Sequence, residues 1–290
     1  MPVFNDEARL TGCLAALERQ TYRSDRYEVV VVDNGSRTPV TDITSAFAHA
    51  RLVHEPRPGV SRARATGIEH AGGEILAFTD SDCLPEPDWL THGVACLLET
   101  DGGVAGGRIE MFAEQSGAPT VATTLSLATH LNQERFLKGG WAVCANLFTW
   151  RRVIDAVGTM NPALLSSGEV EWCARVRAAG YELHYASTAV VRHPARTSVR
   201  ALCQRAMRLE YAWHQLRTKA QLGRGARYWL AQHLVWPSRD IYRQLLCNPR
   251  LTLLEKIQTA ALAALLMLIR VIAWSMLRLG FNYNVRANWG

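Results

Sequence analysis

The chain has no Cys-x-x-Cys pair, no low-complexity tract, no internal repeat and, toward its end, few acids. Each absence narrows the reading. The seven cysteines, Cys13, Cys83, Cys96, Cys144, Cys173, Cys203 and Cys247, are scattered. That scatter argues against a zinc site and against a disulfide framework, and it favours a reducing compartment. Met1 is followed at once by Pro2-Val3-Phe4-Asn5, so no secretory leader is expected. What is present is a foldable chain of 290 residues, 48% hydrophobic and 20% charged, enough for one large or two modest domains. The net charge of +6 points to an anionic partner: a nucleotide, a nucleic acid or a lipid headgroup.

The stretch from Glu74 to Asp82 organises the first half. Ile75 to Phe78 is a short apolar run suited to a buried strand. It leads to Asp80 and Asp82, which point to the same side if the chain stays extended. Two such carboxylates repel unless a cation lies between them. A hard divalent ion, Mg²⁺ or Mn²⁺, fits, shared with substrate phosphates. An Asp-rich turn is the plain alternative, and Cys83-Leu84-Pro85 has that character.

Around this stretch, strands and helices alternate. Leu10, Leu14 and Leu17 mark a helix over Asn5–Gln20, and Tyr27–Val32 is a β-branched run typical of a buried parallel strand. Asp33-Asn34-Gly35-Ser36 reads as a turn. Leu52–His54 is a weaker strand, and Val60–Ala71 a helix closed by Gly72-Gly73. Alternation of this kind predicts a doubly wound α/β sheet with ligands beyond the carboxyl ends of its strands. Asp33, Asp80 and Asp82 lie there, and Arg64 can reach the same crevice from its helix. An acid for base or ribose, a cation for phosphate and a metal pair outline a nucleotide-diphosphate site.

The order and spacing of several segments carry a resemblance. These are Pro2-Val3-Phe4-Asn5 with Glu7 and Leu10, Val29–Asp33-Asn34-Gly35-Ser36, Gly59 with Arg64 and Gly67-Ile68, and Gly73-Glu74 leading into Asp80-Ser81-Asp82. Together they resemble family 2 glycosyltransferases of the GT-A fold, over about residues 2 to 195. The resemblance implies a Rossmann-like, mixed and mainly parallel sheet flanked by helices. It also implies transfer of a sugar, with inversion, from a nucleotide-sugar, usually a UDP-sugar. By it, Asn5 and Glu7 belong to the donor site and Asp33 bonds the base. Arg64 binds the nucleotide or diphosphate, Asp80 faces ribose or metal, and Asp82 binds metal. Two features depart from the family pattern. Met1 abuts the segment that a hydrophobic strand usually precedes, for which a misassigned start is the expectation. Ala65 also follows Arg64 where the family often has Asn.

The resemblance extends further. The segment Lys138-Gly139-Gly140-Trp141 to Cys144–Phe148 is similar to one lining the family's sugar pocket, so Trp141 and Asn146 are candidate substrate contacts. Glu169 aligns with the catalytic base, normally the Asp of a Glu-Asp pair that here reads Gly168-Glu169. A base must take a proton from the acceptor hydroxyl as it attacks, and a helix start favours the ionised carboxylate. Ser166-x-x-Glu169 is equally a capping box, and Glu171 is the reserve candidate. The strand over Tyr181–Val191 ends near His193, a candidate for metal or diphosphate.

From Arg196 the composition changes to a basic, aromatic extension over 196–290. It carries Arg200, Arg205, Arg208, Arg217, Arg224, Arg227, Arg239, Arg243 and Arg250, interleaved with Trp213, Trp229, Trp236 and Tyr242. This suits a membrane surface. No recognised nucleic-acid motif accompanies it, so no nucleic acid is expected. An apolar helix is expected near 257–279. An arginine at its centre costs about 2.5–3.5 kcal/mol, against roughly 0.3–0.6 returned by each Leu, Ile or Val, so hydropathy alone balances near zero. Lys256, Arg270 and Arg278 share about a quarter of the helical wheel, the pattern of an interfacial helix with snorkelling arginines.

The reading is therefore a metal-dependent glycosyltransferase on the inner face of the cell membrane, using a saccharide or lipid-linked acceptor in cell-surface glycan synthesis. Two rivals stand. A HAD-like phosphohydrolase also uses Asp-x-Asp after a strand, but it would want Thr or Val where Leu84 stands. A non-catalytic nucleotide- or lipid-binding protein on a degenerate transferase fold is the other.

Overall fold

A computed structural model describes residues 1–114, 117–129, 131–219, 242–243, 245, 247–249 and 251–281. Arg224, Arg227, Trp229, Trp236, Arg239 and Arg250 of the basic extension lie outside these residues. The chain divides into two units. The first comprises Met1–Glu110 and Leu131–His193, and the second Met111–His130 and Pro194–Gly290. The larger part of the second unit begins at Pro194, and the segment 111–130 belongs to it as well.

In chain order, the first unit opens with β1 (Pro2–Val3), α1 (Glu7–Glu18), β2 (Val29–Asp33), α2 (Thr41–Ser45), β3 (Ala50–His54) and α3 (Val60–His70). It continues with β4 (Ile75–Phe78), β5 (Leu84–Pro85) and α4 (Trp89–Thr100). Next come β6 (Val104–Phe112), α5 (Val121–Ala128), α6 (Gln133–Lys138), β7 (Leu147–Trp150), α7 (Arg151–Val157), α8 (Gly168–Ala178) and β8 (Leu183–Pro194). The remaining described helices are α9 (Val199–Lys219) and α10 (Leu253–Arg278).

Two sheets form. The order β1-β2-β3 is parallel, with Pro2 opposite Val32 and Val29 opposite Ala50. Every residue of β2 is buried, as a β-branched run covered on both faces requires. The second sheet runs β4-β7-β6-β8-β5. Its β4–β7, β6–β7 and β5–β8 ladders are antiparallel. The fold is the expected mixed α/β one. Among the described residues no ladder joins β1 to β4.

The main core of the first unit gathers Ile68, Leu76, Phe78, Leu147, Met160, Trp172 and Val176. Trp172 is fully buried on α8 and donates its indole N–H to the Gly158 carbonyl at 3.0 Å. Deleting such a side chain costs about 3–5 kcal/mol, so the helix that carries Glu169 is firmly seated.

The Thr120 hydroxyl accepts from the Thr123 amide to start α5, and the Asn132 side chain accepts from the Arg135 amide to start α6. In the second unit, Ala122 and Leu125 of α5 pack with Leu202 of α9 and Leu262 and Ala263 of α10. A Thr252–Glu255 capping box opens α10. This helix is two-faced. Thr259, Leu262, Ala263, Ala273 and Leu277 are buried, while Leu254, Ile257, Leu265, Leu268 and Ile272 are exposed. Arg270 does not snorkel as expected. It lies on the inner side, where its Nε meets the fully buried Glu210 of α9 at 2.7 Å. Arg278 instead lies over the Trp274 ring, 5.2 Å from its centroid.

Candidate functional site

The site is built at the ends of β2 and β4 and the start of α8. At the end of β2, Asp33 accepts the Ser36 amide at 2.9 Å and lies 3.5 Å from the His54 ring. Asn5 stands beside this turn, in the left-handed region with φ 49°. Its side-chain oxygen accepts the Arg37 amide at 2.9 Å, and its own amide donates to Ser36 Oγ at 3.0 Å. Glu7 is the first residue of α1.

Asn34, which the sequence marked only as part of a turn, fixes the approach to α3. Its amide donates to the Glu55 and Arg57 carbonyls at 2.8 and 2.9 Å, and its oxygen accepts the Gly59 amide at 2.9 Å. Gly59 has φ 137°, which side-chain-bearing residues rarely adopt. The buried Glu55 carboxylate holds Arg57 through two 2.8 Å bonds and accepts from the Thr66 hydroxyl. The Arg57 bond outweighs burial and, with Thr66, draws Glu55 down to about 2.

Asp80 and Asp82 do not stay side by side as an extended chain would place them. β4 ends at Phe78, and the Cys83 amide bonds the Asp80 carbonyl at 3.1 Å, closing a turn. Each carboxylate takes its own partners. Asp80 accepts from Arg64 Nη2 at 2.8 Å. Burial would raise the Asp80 carboxyl, but Arg64, and His193 after it, hold it below the usual range. Asp82 lies 3.8 Å from His193 Nε2. The ligand atoms of Asp82, Cys83 and His193 lie within 4.8 Å of one another.

Asp6 was not singled out from the sequence, although it sits between two residues that were. It accepts from the Ser81 hydroxyl at 3.2 Å, and burial, then the charge of Asp82, raise its carboxyl. The signal was available, since it is a third acid beside an Asp-Ser-Asp stretch, but only the fold brings the two together.

Arg64 connects this group to α8. It is 7% exposed and lies 3.7 Å from Glu169 as well as 2.8 Å from Asp80. The capping-box explanation for Glu169 does not hold. The N-cap of α8 is Ser167, in the left-handed region, with no side-chain cap bond. The departure at Gly168 has a steric cause, because a Cβ there would meet Ser61 Oγ of α3 at 2.4 Å. α8 therefore starts against α3, where Arg64 is. Glu171, the reserve candidate, is engaged by Arg175 at 2.7 and 3.0 Å.

Two residues expected to contact substrate have packing or bracing roles in the fold. Asn146 is fully buried and all its polar capacity serves the fold. It accepts from Trp89 Nε1 and donates to the Arg108 and Ala189 carbonyls, each at 2.9 Å. Trp141 stacks on Phe136 at 4.3 Å and packs against the main core. The sequence could not separate these roles, since a polar or aromatic residue near a pocket and one bracing it look alike.

Comparison with known proteins follows this geometry. The family model described as glycosyl transferase family 2 matches residues 1–157. Glycosyltransferase AglE of Haloferax volcanii is 36% identical over 201 residues, covering 68% of this chain and 66% of that protein. A putative glycosyltransferase of Bacillus subtilis, EpsH, is 36% identical over 34% of this chain and 28% of its own length. The chain thus spans less than two thirds of these relatives. Among solved structures, the mannosyltransferase PcManGT from Pyrobaculum calidifontis, in complex with GDP-Man and Mn²⁺, aligns with TM-score 0.61 and 19% identity. That alignment covers 95% of this chain and 84% of that one. S. aureus TarS 1-349 in complex with UDP-GlcNAc aligns with TM-score 0.54 and 14% identity, over 98% and 91%. These structures agree with the mixed α/β fold, and the family match covers the ends of β2 and β4 and Arg64, stopping before α8 and His193. The chain belongs to glycosyl transferase family 2.

Proposed function

We propose that the chain is a metal-dependent inverting glycosyltransferase. It moves a sugar from a nucleotide-sugar, a UDP-sugar in the first instance, to a saccharide or lipid-linked acceptor in cell-surface glycan synthesis. The observation that carries this is Arg64, which ties Asp80 of the donor side to Glu169 of the acceptor side at 2.8 and 3.7 Å. In this reading Glu169 takes the proton of the acceptor hydroxyl. The hydroxyl oxygen forms the new bond to the anomeric carbon in line, while the bond to the diphosphate breaks and the nucleoside diphosphate leaves. The Arg64 guanidinium, 3.7 Å away, sets an opposite charge beside the proposed base. Asp33, at the end of β2, and Asn5, beside the turn that follows it, face the nucleoside.

Asp82 and His193, 3.8 Å apart, would hold the metal. A carboxylate with an imidazole suits Mn²⁺ or Mg²⁺ shared with phosphate oxygens. A divalent ion bound there supplies charge that offsets the departing diphosphate. Cys83 lies in the same group, but its soft sulfur is a poor match for a hard ion such as Mg²⁺ or Mn²⁺. This leaves the oxygen and nitrogen donors as the ligands.

The exposed apolar side of α10 supports a bilayer surface as partner, on the cytoplasmic face. The helix is long and apolar enough to cross a membrane by length and composition. Its packed inner side and the buried Arg270–Glu210 pair favour lying on the surface instead.

The test is Glu169→Gln. Turnover is read as nucleoside diphosphate released from UDP-glucose, UDP-GlcNAc or GDP-mannose with a total membrane-lipid extract as acceptor source. Loss of a general base predicts a fall of about 10²–10⁴-fold in kcat. Unchanged turnover overturns the assignment of Glu169. No turnover by the parent with any donor favours a binding protein without chemistry.

A further inference from the structure

The sulfur that the proposed reaction leaves out stands where a softer ion would use it. Leu84 of β5 lies opposite Arg192 of β8, and Pro85 opposite Val191. Continued by one residue, this antiparallel register sets Cys83 against His193. Cys83 also closes the turn after β4, through its amide bond to the Asp80 carbonyl at 3.1 Å. Ladder and turn together fix the backbone under both side chains. Asp82 Oδ1 is the meeting point, 3.7 Å from Cys83 Sγ and 3.8 Å from His193 Nε2. The three ligand atoms all lie within 4.8 Å of one another. Cys83 is fully buried, whereas the Asp82 side chain is 25% exposed and leaves an ion a way in.

Zn²⁺ binds cysteine sulfur at about 2.3 Å and histidine nitrogen or carboxylate oxygen at about 2.0–2.2 Å, in tetrahedral array. Those lengths at the tetrahedral angle put the ligand atoms about 3.3–3.7 Å apart. The two separations from Asp82 lie within about half an ångström of that spacing. A thiolate and a carboxylate also cancel the charge of a divalent ion, and the thiol proton leaves to water as the ion binds. Scattered cysteines speak against a site of cysteines alone, but a mixed donor set needs only one. We propose that Asp82, Cys83 and His193 form a Zn²⁺ site, and that Zn²⁺ bound there excludes the working ion, since both need Asp82 and His193. The exclusion rests on the donor-site reading above, whereas the Zn²⁺ site itself does not.

The test adds Co²⁺, a spectroscopic stand-in for Zn²⁺, to the metal-free full chain without nucleotide. Cys83→Ser and Cys247→Ser are compared with the parent, because Cys247 is exposed and open to adventitious binding. The parent and Cys247→Ser are expected to show a thiolate-to-cobalt charge-transfer band that one equivalent of Zn²⁺ removes. Cys83→Ser should lack the band and bind Zn²⁺ at least ~10-fold more weakly, read by competition with a chromophoric chelator. His193→Asn, at a partly exposed member of the group, should weaken Zn²⁺ by a similar factor. A folded parent without the band overturns the site whatever the variants do. So does a band that persists in Cys83→Ser or vanishes in Cys247→Ser, or equal Zn²⁺ affinity in His193→Asn and the parent. In melting experiments, Cys83→Ser should keep the Mn²⁺-dependent nucleotide shift, and Zn²⁺ should suppress that shift at lower concentration in the parent than in Cys83→Ser. A shift that saturating Zn²⁺ leaves untouched overturns the exclusion. A parent with the band but no nucleotide shift upholds the Zn²⁺ site and places the failure in the donor-site reading.

Discussion

Each unit holds an arginine that meets carboxylates, and the two arrangements differ. Arg64, in the first unit, lies between the carboxylates of Asp80 and Glu169. Arg270 of α10, in the second, meets the fully buried Glu210 of α9 at 2.7 Å. The first draws together two acids from distant places in the chain, around the proposed site. The second joins one helix to another. A cation shared by two acids fixes both of them, whereas a single pair acts as a brace.

The comparison is most sharply tested by making the same replacement in both units. Arg64→Met leaves Asp80 and Glu169 without their shared cation, and removing one member of a buried charged group costs about 3–5 kcal/mol. At roughly 2–4 °C per kcal/mol, the melting point should fall by at least ~6 °C, and Arg270→Met, which strands Glu210, should lower it too. Adding Asp80→Asn to Arg64→Met should recover part of that loss, because one unpaired charge is gone. The nucleotide-induced shift should be lost in Arg64→Met alone; its survival there, or its loss in Arg270→Met, breaks the contrast between the two places.

A smaller effect comes from a pair that lies half in water. Glu55 is buried and Arg57 is 67% exposed. The Glu55 carboxyl is held at about 2, below its ordinary value of 4.5. A depressed carboxyl stabilises the fold above the unfolded value, and that contribution is lost as pH falls from about 4.5 toward 2. The full shift corresponds to about 3 kcal/mol, and solvent around Arg57 reduces this to ~1–2. Acid titration of parent and Glu55→Gln should show the two stability curves converging over that window. A constant difference down to pH 2 would assign the effect to packing instead.

Much of the first unit was legible in its residues. Ile75–Phe78 matches β4 to the residue, because an apolar run bounded by Gly72-Gly73 and the Asp80 turn has sharp ends. β2 was legible for a similar reason, as a β-branched run with no polar face. The antiparallel ladders of the second sheet were not, since strand direction depends on which elements meet across the fold and not on local pattern. The site was legible as a set of residues and less so as a set of pairs. Arg64, Asp80 and Glu169 were each named from sequence, but only the close approach of Gly168 to Ser61 explains why they meet. Asp80 and Asp82 were read as one metal pair. The turn after β4 gives the first to Arg64 and leaves the second to His193. In α10 the basic stripe was visible in the wheel, but its meaning depended on Glu210, sixty residues away in sequence.

The central claim is a metal-dependent nucleotide site built on Asp82, and a thermal-shift panel tests it most directly. UDP, GDP, dTDP and CMP are each added with and without Mn²⁺, to the parent and to Asp82→Asn. A ligand that binds only the folded state raises melting by about 2.7 kcal/mol of added stability at a hundredfold excess over Kd. The account predicts that one nucleotide shifts the parent only when Mn²⁺ is present, and that Asp82→Asn abolishes the shift. No shift with any nucleotide in the folded parent, or the same shift in Asp82→Asn, would contradict it.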